Sequence, residues 1–564
     1  MRDILSRGVA SRLTPHASPS TVKIVARFSL SFPWLIAAPI ALLTLIPLLV
    51  VLSSFLNPQA EIWAHLTNYV LPDLLRNTFW MLIGVATGVT VLGVSLAWLT
   101  AICEFPGSRF FRWALLLPMA LPAYVMAFTW LGLFDITGIV PMWLRSEFDL
   151  ILPLQMRSRG GVILVMVLVF YPYVYLTARS AFQGQGGRLI EAAQSLGISP
   201  ARAFWRIALP LARPAIIAGL LLALMETLAD FGTVSLFNYD TFTTAIYKSW
   251  FSLFSLPAAS QLAGLLIIVV LIAVLLEAQM RANRQFAESV RSPVKATRLV
   301  LRGSVALAAS CWCGFIFLLA FVVPMVPITI WAVQSAVQDL DVRYWTFAGH
   351  SLLLATLGSL LIIVLAVLLA YAQRMQNTFA MRIVSRIATL GYALPGTVLA
   401  VGVFIPVAFL DNVWININQW LWQRETEQIF QGSLLVMLLG YCARFLAVSY
   451  APIETGLQRI SRSMDEAAQS LGVAGLQRLR RIHVPMLRTS MLTAAALCFV
   501  DIMKELPITL MTRPFGWDTL AVRVFEMTSE GEWQRAALPA LLIVLVGLLP
   551  VIFLNHRDSV RGMR

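Results

Sequence analysis

Charged residues are scarce in this chain of 564 residues. Asp, Glu, Lys and Arg make up 12% of the sequence, whereas hydrophobic residues make up 59%. Soluble domains carry about 25% charged residues. The composition therefore excludes an ordinary soluble domain.

Cysteine and histidine are also rare, with five residues of each. Cys311 and Cys313 form a Cys-x-Cys pair inside an apolar stretch, and the histidines show no ligand spacing. Free cysteine is among the most buried residue types, so we interpret the cysteines as apolar side chains. The sequence assigns no metal ligand.

Two catalytic signatures are missing from the chain. No Gly-x-x-x-x-Gly-Lys-Ser/Thr segment, the loop that cradles nucleotide phosphates, occurs in it. No pair of side chains shows the pattern of a nucleophile with its base. We therefore expect a protein that is not an enzyme, has no catalytic residues and binds no cofactor itself.

Long hydrophobic runs, by contrast, are abundant, and each has roughly the 20 residues that span a bilayer as a helix. The first run follows a basic start, is too long for the apolar part of a secretory signal and lacks a clear cleavage site. We interpret it as a retained signal anchor. The runs predict an all-α polytopic membrane protein with twelve spans, near residues 33–55, 78–101, 113–134, 161–180, 214–236, 257–277, 303–333, 349–372, 384–409, 431–452, 487–511 and 536–555.

The basic residues between the spans predict the orientation. With a cytoplasmic N-terminus, cytoplasmic segments carry 30 of the 42 Lys and Arg residues, and the opposite side carries 10. The remaining two, Arg444 and Lys504, fall inside spans. We expect both termini to be cytoplasmic. This bias also accounts for the net charge of +14, so no nucleic-acid partner is expected.

The chain carries an internal repeat. Glu191–Gly197 and Glu466–Gly472 are the same seven residues, 275 positions apart, and 120–122 matches 393–395 at an offset of 273. Two related halves of six spans each should enter the membrane in the same direction, with a passage between them. The predicted organisation is a cytoplasmic N-terminal segment at 1–32, a first domain at 33–280, a cytoplasmic linker at 281–302 and a second domain at 303–564.

Pro122 and Pro395 end the 120–122 and 393–395 matches and lie inside predicted spans. A proline at membrane depth frees a backbone carbonyl, which neighbouring helices or a water-filled cavity must satisfy. Two interpretations stay open at this point: a packing kink, or a residue that lines the pathway.

The repeated polar segment predicts a helix-turn-helix elbow in each half, within 186–213 and 461–488. In the first copy, apolar residues at helical spacing indicate a short amphipathic helix over about 186–196. Gly197 suits the position after a helix end, and Ser199-Pro200 suits the start of another helix. Pro210 is expected to end this second piece before the fifth span.

The two elbows resemble the signature of inner-membrane permeases of binding-protein-dependent ABC importers. The pattern is Glu-Ala-Ala, three residues, Gly, nine residues, Ile, one residue and Leu-Pro, and Val484 replaces the leucine in the second copy. The resemblance implies that the matching residues form the ATPase-coupling segments: Glu191, Ala192, Ala193, Gly197, Ile207, Leu209 and Pro210, then Glu466, Ala467, Ala468, Gly472, Ile482 and Pro485.

The resemblance also implies the partners and the location. Two coupling segments on one chain imply two copies of a cytoplasmic ABC ATPase subunit, which would hold ATP and magnesium. A periplasmic solute-binding protein would deliver the substrate to this multi-pass protein of the bacterial inner membrane. A secondary transporter or channel is the alternative class, but it would not need two coupling motifs.

Carboxylates recur in the spans that follow the elbows. Glu226 and Asp230 match Asp501 and Glu505 at the 275 offset, and each pair is spaced i, i+4 on one helix face. Ionisable groups at membrane depth usually face a bundle interior or a polar pathway. Lys504 lies among them and can pair with a carboxylate. Both a substrate pathway and a structural or gating network remain open.

Three stretches around these carboxylates resemble the fused permeases of ferric-iron importers. They are residues 226–234, 503–510 and 513–522. The resemblance implies ferric iron as the substrate and a separate binding protein that sets selectivity. Fused thiamine permeases share the duplicated architecture. Polyamine, phosphonate, sulfate and molybdate permeases share the coupling motif, so these solutes stay as alternatives.

Overall fold

The computed structural model describes residues 32–56, 60–150, 155–183, 193, 195–288, 298–423, 426–473 and 475–562. Eleven helices within these ranges are long and apolar enough to cross a membrane. A shorter apolar helix, Trp533–Leu549, follows them. The expected all-α polytopic architecture with about twelve spans is confirmed.

The helices of the two halves follow the same order. Those of the first half are α1 (Phe32–Ser53), α2 (Ala60–His65), α3 (Leu71–Ile102), α4 (Ser108–Ala114), α5 (Ala123–Phe134), α6 (Ile139–Phe148), α7 (Arg159–Ala181), α8 (Pro200–Ala203), α9 (Leu209–Ala229), α10 (Gly232–Leu236), α11 (Phe242–Phe251) and α12 (Leu256–Glu288). Those of the second half are α13 (Gly303–Phe317), α14 (Val323–Asp339), α15 (Val342–Met375), α16 (Phe379–Thr389), α17 (Gly396–Trp422), α18 (Leu434–Gln458), α19 (Arg462–Ser470), α20 (Gly475–Arg478), α21 (Val484–Met503), α22 (Pro507–Thr512), α23 (Leu520–Ser529) and α24 (Trp533–Gly562).

The two halves are interlocked rather than side by side. Helix α1 packs against α15, α16 and α17 of the second half. Helix α14 packs mainly against α24 of its own half and also contacts α5 of the first half. The Thr44 hydroxyl donates to the carbonyl of Ala388, 3.1 Å away. A two-stranded parallel sheet joins β1 (Cys103–Glu104) to β2 (Leu299–Val300) at the start of the second half. One hydrophobic core therefore runs through both halves.

A π-helical turn precedes a proline at four places in the described chain. The turns are Leu66–Val70, Phe204–Ala208, Leu318–Val322 and Leu479–His483, and proline stands two residues after each, at 72, 210, 324 and 485. A proline lacks the N–H for an α-helical bond, and its ring clashes with the carbonyl four residues earlier. The wider π turn moves that carbonyl away and lets the helix continue.

The expectation that Pro210 ends a helical piece is therefore wrong. One helical rod runs from Pro200 to Ala229, with the π turn before Pro210. The same construction precedes Pro485 in the second half. Each elbow is thus continuous with the membrane helix that follows it.

Pro122 and Pro395 mark complete breaks rather than kinks. Each follows a short 3₁₀ turn, Leu117–Ala120 or Leu390–Ala393, and stands at the N-cap of the next helix. Their backbone angles are nearly identical, with φ/ψ of −58°/144° and −57°/142°. The repeated sequence thus produces the same interruption in both halves.

Candidate functional site

Helix breaks from both halves converge on one cavity. Besides the breaks at the two prolines, α9 ends at Ala229 before α10, and α21 ends at Met503 before α22. The cavity has a volume of about 140 Å³. Broken helices direct polar backbone and side chains inward, which is tolerated at membrane depth where they line a cavity.

Six of the seven predicted pathway or gating residues line this cavity. They are Pro122, Glu226, Asp230, Asp501, Lys504 and Glu505. The seventh, Pro395, is not in the lining, but the next residue, Gly396, packs against Arg444, Glu505 and Pro507. The structure therefore brings together residues separated by more than 380 positions in the chain.

Asp230 and Glu505 cap the short helices that follow the breaks. Asp230 accepts hydrogen bonds from the backbone N–H groups of Thr233 and Val234, at 2.9 and 3.3 Å. Glu505 accepts one from the N–H of Ile508 at 3.1 Å. A carboxylate at a helix N-terminus satisfies free N–H groups and complements the helix dipole. These two carboxylates thus have a structural part in the site.

The second half supplies two ion pairs. The Lys504 ammonium lies 2.8 Å from the Asp501 carboxylate, and a guanidinium nitrogen of Arg444 lies 3.5 Å from Glu505. The side chains of Arg444 and Glu505 are 11% and 5% exposed, respectively, so salt in the solvent screens this pair little.

Glu226 has a different environment. It hydrogen-bonds the side chain of Tyr392 and lies within electrostatic range of Arg444, Lys504 and Asp501. Among the described residues, no cation lies within the 4 Å of a direct ion pair with it. Asp230 also has no ion pair among the described residues, but backbone N–H groups satisfy its carboxylate. Of the four carboxylates, Glu226 is the one with neither a direct ion pair nor a backbone N–H donor in the described part of the chain.

Four polar residues of the cavity wall were not among the predicted site residues: Tyr124, Tyr173, Tyr392 and Arg444. Arg444 had a detectable signal, because an arginine inside a span is rare and usually functional. The repeat offset maps it onto Val169, which also lines the cavity. The three tyrosines gave no such signal in the sequence, because tyrosine is common in membrane helices.

The two elbows end their first helix in the same way. Gly197 and Gly472 have φ of +76° and +75°. The N–H groups of Ile198 and Val473 donate across these turns to Ala193 and Ala468, each at 2.9 Å. This is the left-handed helix end that glycine favours. The predicted turn at Gly197 is confirmed, whereas Glu191 and Ala192 lie outside the described residues.

The second elbow presents part of its signature to solvent. Glu466 and Ala467 are exposed, while Ala468 faces inward, as Ala193 does in the first elbow. Leu196 and Leu471, which correspond by the offset, are both 81% exposed. Of the other signature residues, Ile207 and Ile482 are half-buried, and Pro210 and Pro485 are exposed.

Different chemistry holds the two elbows to the membrane helices. In the second, Asp465 accepts from Arg374 at 2.8 Å, and its other oxygen lies 2.7 Å from His483 Nε2. Burial opposes charge on Asp465, but hydrogen bonds from Arg374 and His483 hold the pKa of its carboxyl below the usual range. In the first elbow, Trp98 packs edge-on against Phe204, with ring centroids 4.8 Å apart.

Comparison with known proteins agrees with this architecture. The sequence profile described as "Binding-protein-dependent transport system inner membrane component" matches the chain twice, over residues 91–285 and 362–558. The two matches cover more than half of the sequence and both copies of the repeat. The chain therefore belongs to this family, as a fused permease with two transport domains.

Several curated relatives are similar to the chain. An Fe(3+)-transport system permease protein of Haemophilus influenzae is 27% identical over 490 residues, 86% of this chain and 89% of that protein. A ferric transport system permease protein of Actinobacillus pleuropneumoniae is 21% identical over 458 residues, 78% and 64% of the two chains. A protein of Salmonella typhimurium named for 2-aminoethylphosphonate transport is 30% identical over 211 residues, 37% and 73%.

Proposed function

We propose that this chain is the membrane-spanning subunit of an ATP-driven importer of ferric iron, and that the cargo passes through the cavity between its halves. The similarity to permeases named for ferric transport extends over most of the chain. The phosphonate relative matches 37% of it.

The charge of the cavity is the observation that favours a cation as the cargo. Four carboxylates and two cationic side chains line it, so its formal charge is two units negative. A negative cavity of low dielectric attracts cations and opposes phosphonate, sulfate or molybdate anions. Carboxylate and phenol oxygens are also hard ligands, which suit a highly charged cation. Thiamine and polyamines are cations too, and they remain the second candidate cargo.

ATP hydrolysis is assigned to partner subunits. Each elbow offers one docking point on the cytoplasmic side, so one chain would bind two ATPase copies that hold ATP and magnesium. The matched exposed leucines, Leu196 and Leu471, and the exposed Glu466 are suited to a groove on such a partner. Because each elbow continues into a membrane helix that borders the cavity, ATPase closure would move the cavity walls. A periplasmic binding protein would load the cavity from the opposite side.

Uptake by proteoliposomes tests the cargo. Vesicles would contain this chain, its co-encoded ATPase and its binding protein, with radiolabelled ferric iron competed by thiamine, polyamines, sulfate and phosphonate. We expect ATP-dependent iron accumulation that disappears without the binding protein. Uptake of one of the competitors in place of iron would overturn the choice of cargo.

Two glutamate substitutions test the coupling. We expect Glu191→Ala and Glu466→Ala each to lower ATP-dependent uptake, because each removes a charge at one proposed docking point. Glu530→Ala, at an exposed position in neither elbow, serves as the control. Full ATP-dependent uptake in both elbow variants would contradict the coupling role of these glutamates.

A further inference from the structure

The carboxylates of the cavity are duplicated between the halves, but the cations are not. Arg444 corresponds by the 275 offset to Val169, and Lys504 corresponds to Ala229. All four of these residues line the cavity. The two walls therefore share their acidic groups, and among the described lining residues the basic ones belong to the second half.

Each cation is engaged by a carboxylate of its own half. Lys504 lies 2.8 Å from Asp501, and Arg444 lies 3.5 Å from Glu505. The Arg444 contact is loose, since its Nε and Nη1 have no hydrogen-bond partner among the described residues. The second-half wall is thus close to neutral and holds a guanidinium whose donors are only partly used.

The first-half wall contains oxygens that remain available. Glu226 has no direct ion pair among the described groups, and its hydrogen bond comes from Tyr392. Tyr124 is only 5% exposed, yet its hydroxyl has no hydrogen-bond partner in the described part of the chain. An unpaired buried hydroxyl is costly unless something else satisfies it. Because Tyr124 also lines the cavity, its hydroxyl indicates a place for a ligand.

We propose that Arg444 and Lys504 are tethered counter-ions that neutralise the second-half wall and leave the cargo cation to Glu226 and Tyr124 on the first-half wall. The inference rests on the proposed function and adds the location and charge of the site. It assigns cargo binding to one half of a duplicated chain. It also gives Arg444 and Lys504 a role in specificity, since they determine the net negative charge that the cargo meets in the cavity.

Charge-matched variants test this arrangement in the uptake assay described above. Asp501→Asn frees Lys504 to face Glu226, and we expect uptake to fall about tenfold or more, because an unpaired buried charge is costly. Asp501→Asn/Lys504→Ala removes the pair together and keeps the net charge. We expect it to recover to within about threefold of the original chain, because a buried pair can be removed at little cost.

A mirror variant tests the first-half wall. Ala229→Lys places the cation of the second half beside Glu226, and we expect uptake to fall about tenfold or more. Ala229→Met adds similar bulk without charge and should keep most of the uptake. If Ala229→Met lowers uptake as much as Ala229→Lys, the Glu226→Gln variant distinguishes bulk from charge. We expect Glu226→Gln to lower uptake about tenfold or more, because it removes the charge of Glu226, and to preserve binding-protein-stimulated ATP hydrolysis.

The outcomes separate this inference from the proposed function. Uptake of iron by the original chain tests the function, and the ratios between variants test the counter-ions. If Asp501→Asn and the double variant are equally impaired, or if Glu226→Gln transports normally, the counter-ion assignment is overturned while the importer stands. If the chain carries an anion, both fail.

Discussion

Gly396 shows how the chemistry of single residues sets the width of the cavity wall. A Cβ atom at this position would lie 2.7 Å from Pro507 and 2.8 Å from Glu505, and it would also meet the Arg444 guanidinium. The first half has Ala123 at the corresponding position, with Gly232 in place of the proline and Val169 in place of the arginine. In the second half, the absence of a side chain at residue 396 thus leaves room for Arg444.

We expect Gly396→Ala to destabilise the protein by about 1–3 kcal/mol, because overpacking forces neighbours out of their positions. Gly349→Ala is the matched control, since a Cβ there meets nothing within 4 Å. Thermal unfolding in detergent compares the two. Equal midpoints for both variants would show that the wall around residue 396 yields without cost.

Asp465 makes the second elbow sensitive to acid. Its folded pKa is lowered by Arg374 and His483, so its stabilisation is present above the unfolded value of about 3.9 and disappears as pH falls through the folded value. Arg478 also faces it, 3.9 Å away. We expect hydrogen exchange in 462–470 to accelerate as pH drops below about 4, after correction for the intrinsic rate.

Asp465→Asn is the control for this acid effect. It should speed exchange in 462–470 about tenfold at neutral pH, since hydrogen bonds to charged groups contribute about 1.5–3 kcal/mol. It should also remove the added acceleration in acid. The first elbow, packed by Trp98 and Phe204, should show no such step. Acid acceleration that persists in the variant would assign it to another group.

At the scale of whole elements, the π turns determine how each elbow is oriented on its membrane helix. A π turn accommodates one extra residue, and one residue corresponds to about 100° of rotation in an α-helix. Replacing the proline restores the N–H and removes the ring, so an α turn becomes possible. The elbow would then rotate relative to the helix that borders the cavity.

We expect Pro210→Ala and Pro485→Ala to lower the amount of substrate carried per ATP hydrolysed. Pro324→Ala changes the same kind of turn outside both elbows, at Leu318–Val322, and should leave the ratio unchanged. The measurement is uptake and ATP hydrolysis in the same vesicles. If all three variants behave alike, the π turns serve helix continuity only.

The elements differ in how far the sequence predicted them. The spans could be predicted because hydrophobic length alone identifies them. The turn at Gly197 could be predicted because a left-handed backbone favours glycine. The continuation of the helix through Pro210 could not be predicted, since a π turn leaves no residue pattern of its own. The gathering of Glu226 with Asp501 could be predicted from the repeat. The contacts of Tyr392 with Glu226 and of Arg444 with Glu505 depend on helix packing that no local pattern encodes.

At the scale of the whole molecule, the packing of α1 on the second half joins the halves into one folding unit. Helix α1 is apolar on all sides, so its sequence indicates burial without a preferred face. The structure places α1 against α15, α16 and α17, and α14 against α24 and α5. The boundaries at 280 and 303 remain a prediction about the repeat, and the packing crosses them.

The packing of α1 on the second half predicts that the two halves stay associated when the chain is cut between them. We expect fragments 1–288 and 298–564, produced together, to copurify from membranes, because α1 packs on three helices of the second fragment. Removing residues 1–56 from the first fragment should sharply reduce copurification, while removing β2 by starting the second fragment at 303 should matter little. The reason is area: a two-residue strand pair buries far less apolar surface than a 22-residue helix. If the fragments stay together without α1, the remaining contacts between the halves, among them those of α12 with α17 and of α24 with α5, are sufficient to hold them.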